Sequence, residues 1–354
     1  MLLIHYVNLT HFKANPGNFW VDVKVFMILE IILYVLDEFN MLFNIYILIR
    51  AHQFHFNFSC IQGVLFVIHL VDNVAVLILK VSMALEIVDD SNPISSFLFW
   101  ISMNITIGCT FAAMFTLFFL TLERCCATVL IHDYERKPRR FISVLLNLLL
   151  LFIGVGSCFL IKEKANTVYL IAVLLVINGV ALVLHGLLGY WNRKIYAVLH
   201  KSVNITAYSL TQRFQVSENI KVLQMMKNII FYMGLMNLMV VLSVLFSSFD
   251  LSPEVQLLFT FCLDTSIFIY SFCYPVIMYQ SCEKWRSEID ASLQRICCCC
   301  CFRPDTSTKV FPIMNSFGEK MEEKNTMNNH FDHLKNSWDA ARPRKSLPSL
   351  DNEI

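Results

Sequence analysis

Seven stretches of about 20 or more mostly apolar residues run through this 354-residue chain, at 21–49, 61–85, 97–122, 141–162, 167–190, 226–248 and 255–279. Each is long enough to cross the roughly 30 Å hydrocarbon core of a bilayer as a helix. A backbone in lipid must satisfy its own N–H and C=O groups, which leaves helices as the viable form for such runs. Pro93, Pro138 and Pro253 fall between stretches, where a missing N–H costs little, and Pro275 alone lies inside one. With 56% hydrophobic and 16% charged residues and a mean hydropathy of +0.58, the chain is more apolar than a water-soluble domain can hide. Residues 302–354 hold 16 of the 55 charged side chains, so the body resembles a membrane protein and the tail does not. The expected fold class is an all-α membrane protein. An extracellular N-terminus at 1–20 leads to a seven-transmembrane helix bundle at 21–282, a short amphipathic inner-leaflet helix with a cysteine cluster at 283–301, and a disordered cytoplasmic tail at 302–354.

Lys+Arg and Asp+Glu nearly cancel, 28 against 27, which disfavours nucleic acid as a partner and an acidic solvating chain as a class. Most of the 13 cysteines lie inside apolar runs or in the block Cys297, Cys298, Cys299, Cys300 and Cys301, which excludes a secreted disulfide framework. The first 20 residues contain His5, His11, Lys13, Asn15 and Pro16 but no long apolar core, so no cleaved signal peptide is expected. If the N-terminus is outside, Lys and Arg near the span ends number sixteen on the cytoplasmic side and four on the outer side. Cytoplasmic loops retain positive charge, so the expected arrangement is N-terminus outside, C-terminus inside. The sequon at Asn8, Leu9 and Thr10 then lies outside as a candidate glycan site, with a chance match as the alternative.

Charged and amide groups inside the spans single out the chemistry, because such groups are expensive in lipid and face a bundle interior or a wet cavity. Asp72 is the strongest case. Lys80, Asn104, Thr106, Asn178 and Asp264 are candidates to converge on a ligand, with Lys80 and Asp264 as a pair across the bundle, although polar contact between helices explains each residue as well. Glu30, Asp37 and Glu38 suggest a first span that is tilted or partly wet. Glu123 and Arg124, where the third span meets the cytoplasm, can form an ion pair that releases the guanidinium to a competing partner, or Arg124 can simply snorkel to the interface. Along 283–296, Trp285, Ile289, Leu293 and Ile296 form one helical stripe, which places the adjacent cysteines where S-acylation occurs; five adjacent thiols without CxxC spacing are poor metal ligands. HExxH, GxSxG and a phosphate-cradling glycine loop are all missing, so neither an enzyme nor a cofactor is expected.

Asn44, Asp72, Arg124 and Pro275 fall in the first, second, third and seventh spans in the order and at about the spacing of rhodopsin-like receptors. Two further stretches, Glu123 to Thr128 followed by Asp133, Tyr134 and Glu135, and Tyr208 to Ile220, resemble nematode chemoreceptors of serpentine receptor class epsilon. The similarity in layout covers about residues 20–300. It implies a G-protein-coupled receptor that binds a small-molecule chemical cue in the outer half of its bundle, signals to a heterotrimeric G protein, and resides in the plasma membrane of sensory neurons. It further implies Glu123 and Arg124 as the switch, residues 134–140 and 208–227 as partner surface, and Asn44, Asp72 and Pro275 as a polar core network, with a structural aspartate as the alternative for Asp72. The chain departs from the rhodopsin-like pattern at Phe99, where a cysteine is usual, in a sixth span without proline, and at Tyr274 to Tyr279, where the tyrosine is displaced by one residue. A seven-span transporter or ligand-gated channel, with Asp72, Lys80 and Asp264 along the route, is the competing class. The absence of a paired inverted repeat and of interrupted spans argues against it.

Overall fold

A computed structural model describes residues 18–51, 56–85, 93–130, 139–161, 164–201, 210–247, 249 and 251–297. Among these the chain forms eight helices and no strand: α1 Asn18–Ala51, α2 Phe56–Ala84, α3 Pro93–Val129, α4 Arg140–Leu160, α5 Lys164–Lys201, α6 Leu210–Ser247, α7 Pro253–Ser281 and α8 Glu283–Cys297. The N-terminal segment with Asn8, the block Cys298 to Cys301, residues 134–138 and the tail at 302–354 lie outside the described residues.

Six helices, α2 to α7, are long and apolar enough to cross a membrane by length and composition. Of the other two, α8 is a short 15-residue helix, and α1 is long but carries Glu30, Asp37 and Glu38; its burial pattern shows where those charges go. Val23, Met27, Glu30, Tyr34, Asp37, Met41, Asn44, Ile47 and Ala51 are buried, at steps of three and four residues that mark one helical face. The opposite face, including Phe26, Leu29, Ile32, Leu36, Phe39 and Ile49, is exposed and apolar. The helix is amphipathic inside out: Glu30, Asp37 and Asn44 point into the bundle and its apolar face points outward. Glu30 and Asp37 therefore lie on the face of α1 that the bundle buries.

Helices α1 to α7 pack into a closed ring in which α7 returns against α1, and α3 sits innermost, touching α2, α4, α5 and α6. α3 and α4 approach closely at their glycines, where a Cβ added to Gly154 would stand 2.8 Å from the Gly108 carbonyl oxygen and 3.1 Å from Ala112 Cβ. Small residues let helices in lipid meet by van der Waals contact where no hydrophobic force drives them together. Gly154→Ala is accordingly expected to destabilise the bundle by about 1–3 kcal/mol through overpacking, seen as a lowered thermal unfolding midpoint of purified protein; Gly156→Ala, with nothing within 4 Å of its added Cβ, serves as the neutral control.

The helices outrun the apolar stretches that define the spans. Between the fifth and sixth apolar stretches, α5 continues to Lys201 and α6 starts at Leu210. The reason is local packing, since Val216 and Ile220 of α6 are buried against Ile195 and Tyr196 of α5, which extends a two-helix hydrophobic seam beyond the bundle. α8 is fastened to the bundle. Trp285 is completely buried, with its ring centroid 6.5 Å from that of Phe66, and Phe66 meets Tyr274 edge-on at 5.6 Å. Arg286 donates to the Tyr279 and Gln280 carbonyls at 3.2 and 2.9 Å, satisfying acceptors that the end of α7 leaves open. Of the expected membrane stripe, Trp285 and Ile289 pack against the bundle and Leu293 is exposed.

Candidate functional site: a charged cluster and a buried ion pair at opposite ends of the bundle

At the end of the bundle where α1 and α7 begin, Lys80 of α2 inserts between two carboxylates. Its Nζ donates to Glu30 Oε2 of α1 at 2.8 Å and to Asp264 Oδ2 of α7 at 2.5 Å. The lysine side chain is 4% exposed, its partners 9% and 13%. Lys80 and Asp264, an expected cross-bundle pair, are thus in direct contact; Glu30 is a third member that sequence reasoning missed.

Seven residues further along each helix a second layer repeats the arrangement with amides and a hydroxyl. Asp37 accepts from Asn73 Nδ2 at 2.9 Å, from Asn40 Nδ2 at 3.2 Å and from the Ser271 hydroxyl. The spacing from Glu30 to Asp37, from Lys80 back to Asn73, and from Asp264 to Ser271 is the same, two turns or about 10.5 Å, because α1 and α7 run one way and α2 the other. That shared period was the available signal for Glu30 and Asp37. Pro275 lies within α7 and offers no N–H to the Ser271 carbonyl, so the helix loses a backbone bond at the residue whose side chain holds Asp37. Asn44, one further repeat along α1, donates within its own helix to Asn40 at 2.7 Å and 3.2 Å. Asp72 is buried on another face of α2. The trio Asn44, Asp72 and Pro275 is therefore spread over neighbouring contacts, with Asp37 at the hub of the α1, α2 and α7 junction.

Lys80, Thr106 and Asp264 line one cavity of about 60 Å³, walled by Val76, Leu79, Phe111 and Ile267 among others. The other two pocket candidates lie elsewhere. Asn178 accepts from Asn237 at 3.1 Å, and Asn237 also donates to the Met114 carbonyl at 3.0 Å, tying α3, α5 and α6 together in the bundle core. Asn104 lines an apolar groove of about 420 Å³ between α2, α3 and α4 and donates to the Trp100 carbonyl at 2.7 Å.

At the opposite end, Arg124 of α3 grips its own neighbour. Nε and Nη2 donate to the two Glu123 carboxylate oxygens at 2.5 and 2.6 Å, a bidentate pair with the arginine 4% exposed and the glutamate fully buried. The guanidinium also lies 5.3 Å from the centre of the Phe58 ring at the start of α2. Around it, Asn192 of α5 donates to Thr128 at 3.0 Å and Asn219 of α6 to the Ala127 carbonyl at 3.5 Å. Arg124 thus sits where α2, α3, α5 and α6 converge. Lys80 and Phe58 are 22 residues apart on α2, about 33 Å of helix, so the charged cluster and the ion pair occupy opposite ends. The arrangement places a cavity with two charged residues at one end, the Asp37 layer seven residues along, and a buried ion pair at the other end.

Comparison with known proteins shows the family. A sequence profile described as "Sre G protein-coupled chemoreceptor" matches residues 2–339. The chain is 42% identical over 346 residues to serpentine receptor class epsilon-12 of Caenorhabditis elegans, covering 96% of this chain and 100% of that protein. It is 25% identical over 288 residues to serpentine receptor class epsilon-13 of the same organism, covering 81% and 79% of the two chains, and 21% identical over 291 residues to serpentine receptor class epsilon-8, covering 80% and 83%. An all-helical chain with membrane-crossing helices, matched almost end to end by such relatives, belongs to the Sre family of G-protein-coupled chemoreceptors and is a multi-pass membrane protein of the seven-helix serpentine type.

Proposed function

We propose that this receptor sits in the plasma membrane of sensory neurons, N-terminus outside, and binds a small chemical cue in the cavity lined by Lys80, Thr106 and Asp264. Occupancy shifts the helix population so that the opposite end engages a heterotrimeric G protein. The observation that carries this reading is the bidentate, buried Glu123–Arg124 pair at the junction of α2, α3, α5 and α6. A guanidinium held by a carboxylate in low dielectric can exchange that partner for another acceptor with little change in its own charge state, which is what a two-state switch requires. The seam through Asp37 connects the cavity end to Pro275 of α7, where the helix is already short of a hydrogen bond. The basic residues Arg193, Lys194, Lys221 and Lys227, with the α5 and α6 extensions, supply partner surface that suits an anionic inner leaflet.

The test is expression of the full chain in cells, a panel of volatile and water-soluble small molecules, and nucleotide exchange on a heterotrimeric G protein as the readout. At least one cue should raise exchange severalfold over untransfected cells. Cue-evoked current in cells lacking functional G proteins, without exchange, would overturn the receptor reading in favour of a channel or transporter.

A further inference from the structure

The charged cluster contains two carboxylates and a single ammonium. Lys80 engages one oxygen of each acid, Glu30 Oε2 and Asp264 Oδ2, and the second oxygen of Glu30, Oε1, is buried without a hydrogen-bond partner in a residue that is 7% exposed. One helical turn on, the Tyr34 hydroxyl is likewise buried without a hydrogen-bond partner, within electrostatic reach of Glu30, Asp37, Asp72 and Asp264. A buried acceptor left unmade, in a cluster with an excess negative charge, describes a site complementary to a cation that also donates hydrogen bonds.

The neighbouring space narrows the chemistry. Lys80 and Asp264 line the cavity of about 60 Å³, whose remaining wall is apolar apart from Thr106, Thr110 and Thr260. For scale, an engineered apolar cavity of about 150 Å³ accommodates benzene, so this one suits a short aliphatic body. The Phe261 ring lies 5.9 Å from Lys80 Nζ and packs on Phe26 at 5.1 Å between centroids, giving the cluster an aromatic face that tolerates positive charge. An anionic cue would add a third negative charge beside two carboxylates. A neutral alcohol would leave the excess uncompensated. An ammonium brings the cluster to balance and supplies the missing donor.

We propose that the cavity beside Glu30, Lys80 and Asp264 selects small primary amines in their ammonium form, with Glu30 and Asp264 receiving the head group and the apolar wall receiving a short alkyl tail. This specificity rests on the reading of that cavity as the cue site, but its test needs no G protein. The full chain, purified into lipid nanodiscs, is titrated with n-butylamine, n-butyrate and n-butanol at neutral pH, and the thermal unfolding midpoint is followed. Butylamine is expected to raise the midpoint saturably, as a ligand of the folded state must, while butyrate and butanol leave it unchanged. Glu30→Gln, which keeps the side-chain shape and an acceptor for Lys80, should weaken the apparent amine affinity at least tenfold, and Asp264→Asn similarly. No shift with butylamine, or an equal shift with butanol or butyrate in the wild-type chain, overturns the proposal whether or not the variants fold. Undiminished amine binding in both folded variants also overturns it. An amine that binds in this way but evokes no nucleotide exchange upholds the site and counts against the signalling reading alone.

Discussion

Lys80→Met is expected to destabilise the bundle by about 3–5 kcal/mol, enough to remove most folded protein from the membrane, because it strands the buried Glu30 carboxylate and the part-buried Asp264 carboxylate beside one another. An exposed pair of the same residues would contribute about 0–1 kcal/mol, so burial decides the size of the effect: Lys80 is 4% exposed and reaches Glu30 at 2.8 Å and Asp264 at 2.5 Å. The loss should be reversible by chemistry. In the triple variant Glu30→Gln, Lys80→Met, Asp264→Asn no charge remains, and stability should return to within about 1–2 kcal/mol of wild type, since a buried ionic cluster and its neutral replacement often differ little. The check is the thermal or denaturant midpoint of purified protein for wild type, single and triple variants. A single variant as stable as wild type, or a triple variant no better than the single, would show that the cluster is not the desolvated triad that the distances describe.

Much of this arrangement was legible in the sequence. Apolar runs longer than 20 residues fix the helices because lipid offers the backbone no partner, and intramembrane charges of opposite sign on different spans seek one another, which brought Lys80 and Asp264 together on paper. What escaped was orientation. Glu30 and Asp37 looked like a weakness of the first span because hydropathy sums a helix around its circumference. Only their seven-residue spacing, shared with Asn73 and Lys80 and with Asp264 and Ser271, places them on one inward stripe. The fate of Asn44, Asn104 and Asn178 was not legible at all. An amide within a helix can satisfy itself on the preceding turn, as Asn44 and Asn104 do, or reach a neighbouring helix, as the Asn178–Asn237 contact does, and the choice depends on packing distances that composition does not carry. The pairing of the α5 and α6 extensions was hidden for a similar reason: their charges suggest solvent, whereas Ile195, Tyr196, Val216 and Ile220 pack into a seam between them.

The Glu123–Arg124 pair yields the second large effect. Arg124→Ala is expected to bring cue-stimulated nucleotide exchange down to background, a loss of at least tenfold. From the sequence alone, surface delivery of that variant should be intact, but the structure changes this expectation. Glu123 is fully buried, and removing the guanidinium strips its carboxylate of a bidentate partner in low dielectric, a change that typically costs about 3–5 kcal/mol. The single variant should therefore reach the surface poorly. Adding Glu123→Gln removes the stranded charge, so the double variant Glu123→Gln, Arg124→Ala should be delivered near wild-type amounts and remain silent to cue. Glu123→Gln by itself acts in the opposite direction: a neutral amide holds the guanidinium less tightly, the switch is released part of the time, and exchange without cue should rise severalfold. Surface immunolabelling and nucleotide exchange measured on the same cells separate the two roles. Exchange that persists in the double variant would take Arg124 out of the mechanism, and unchanged basal exchange in Glu123→Gln would show that the carboxylate places the arginine without restraining it.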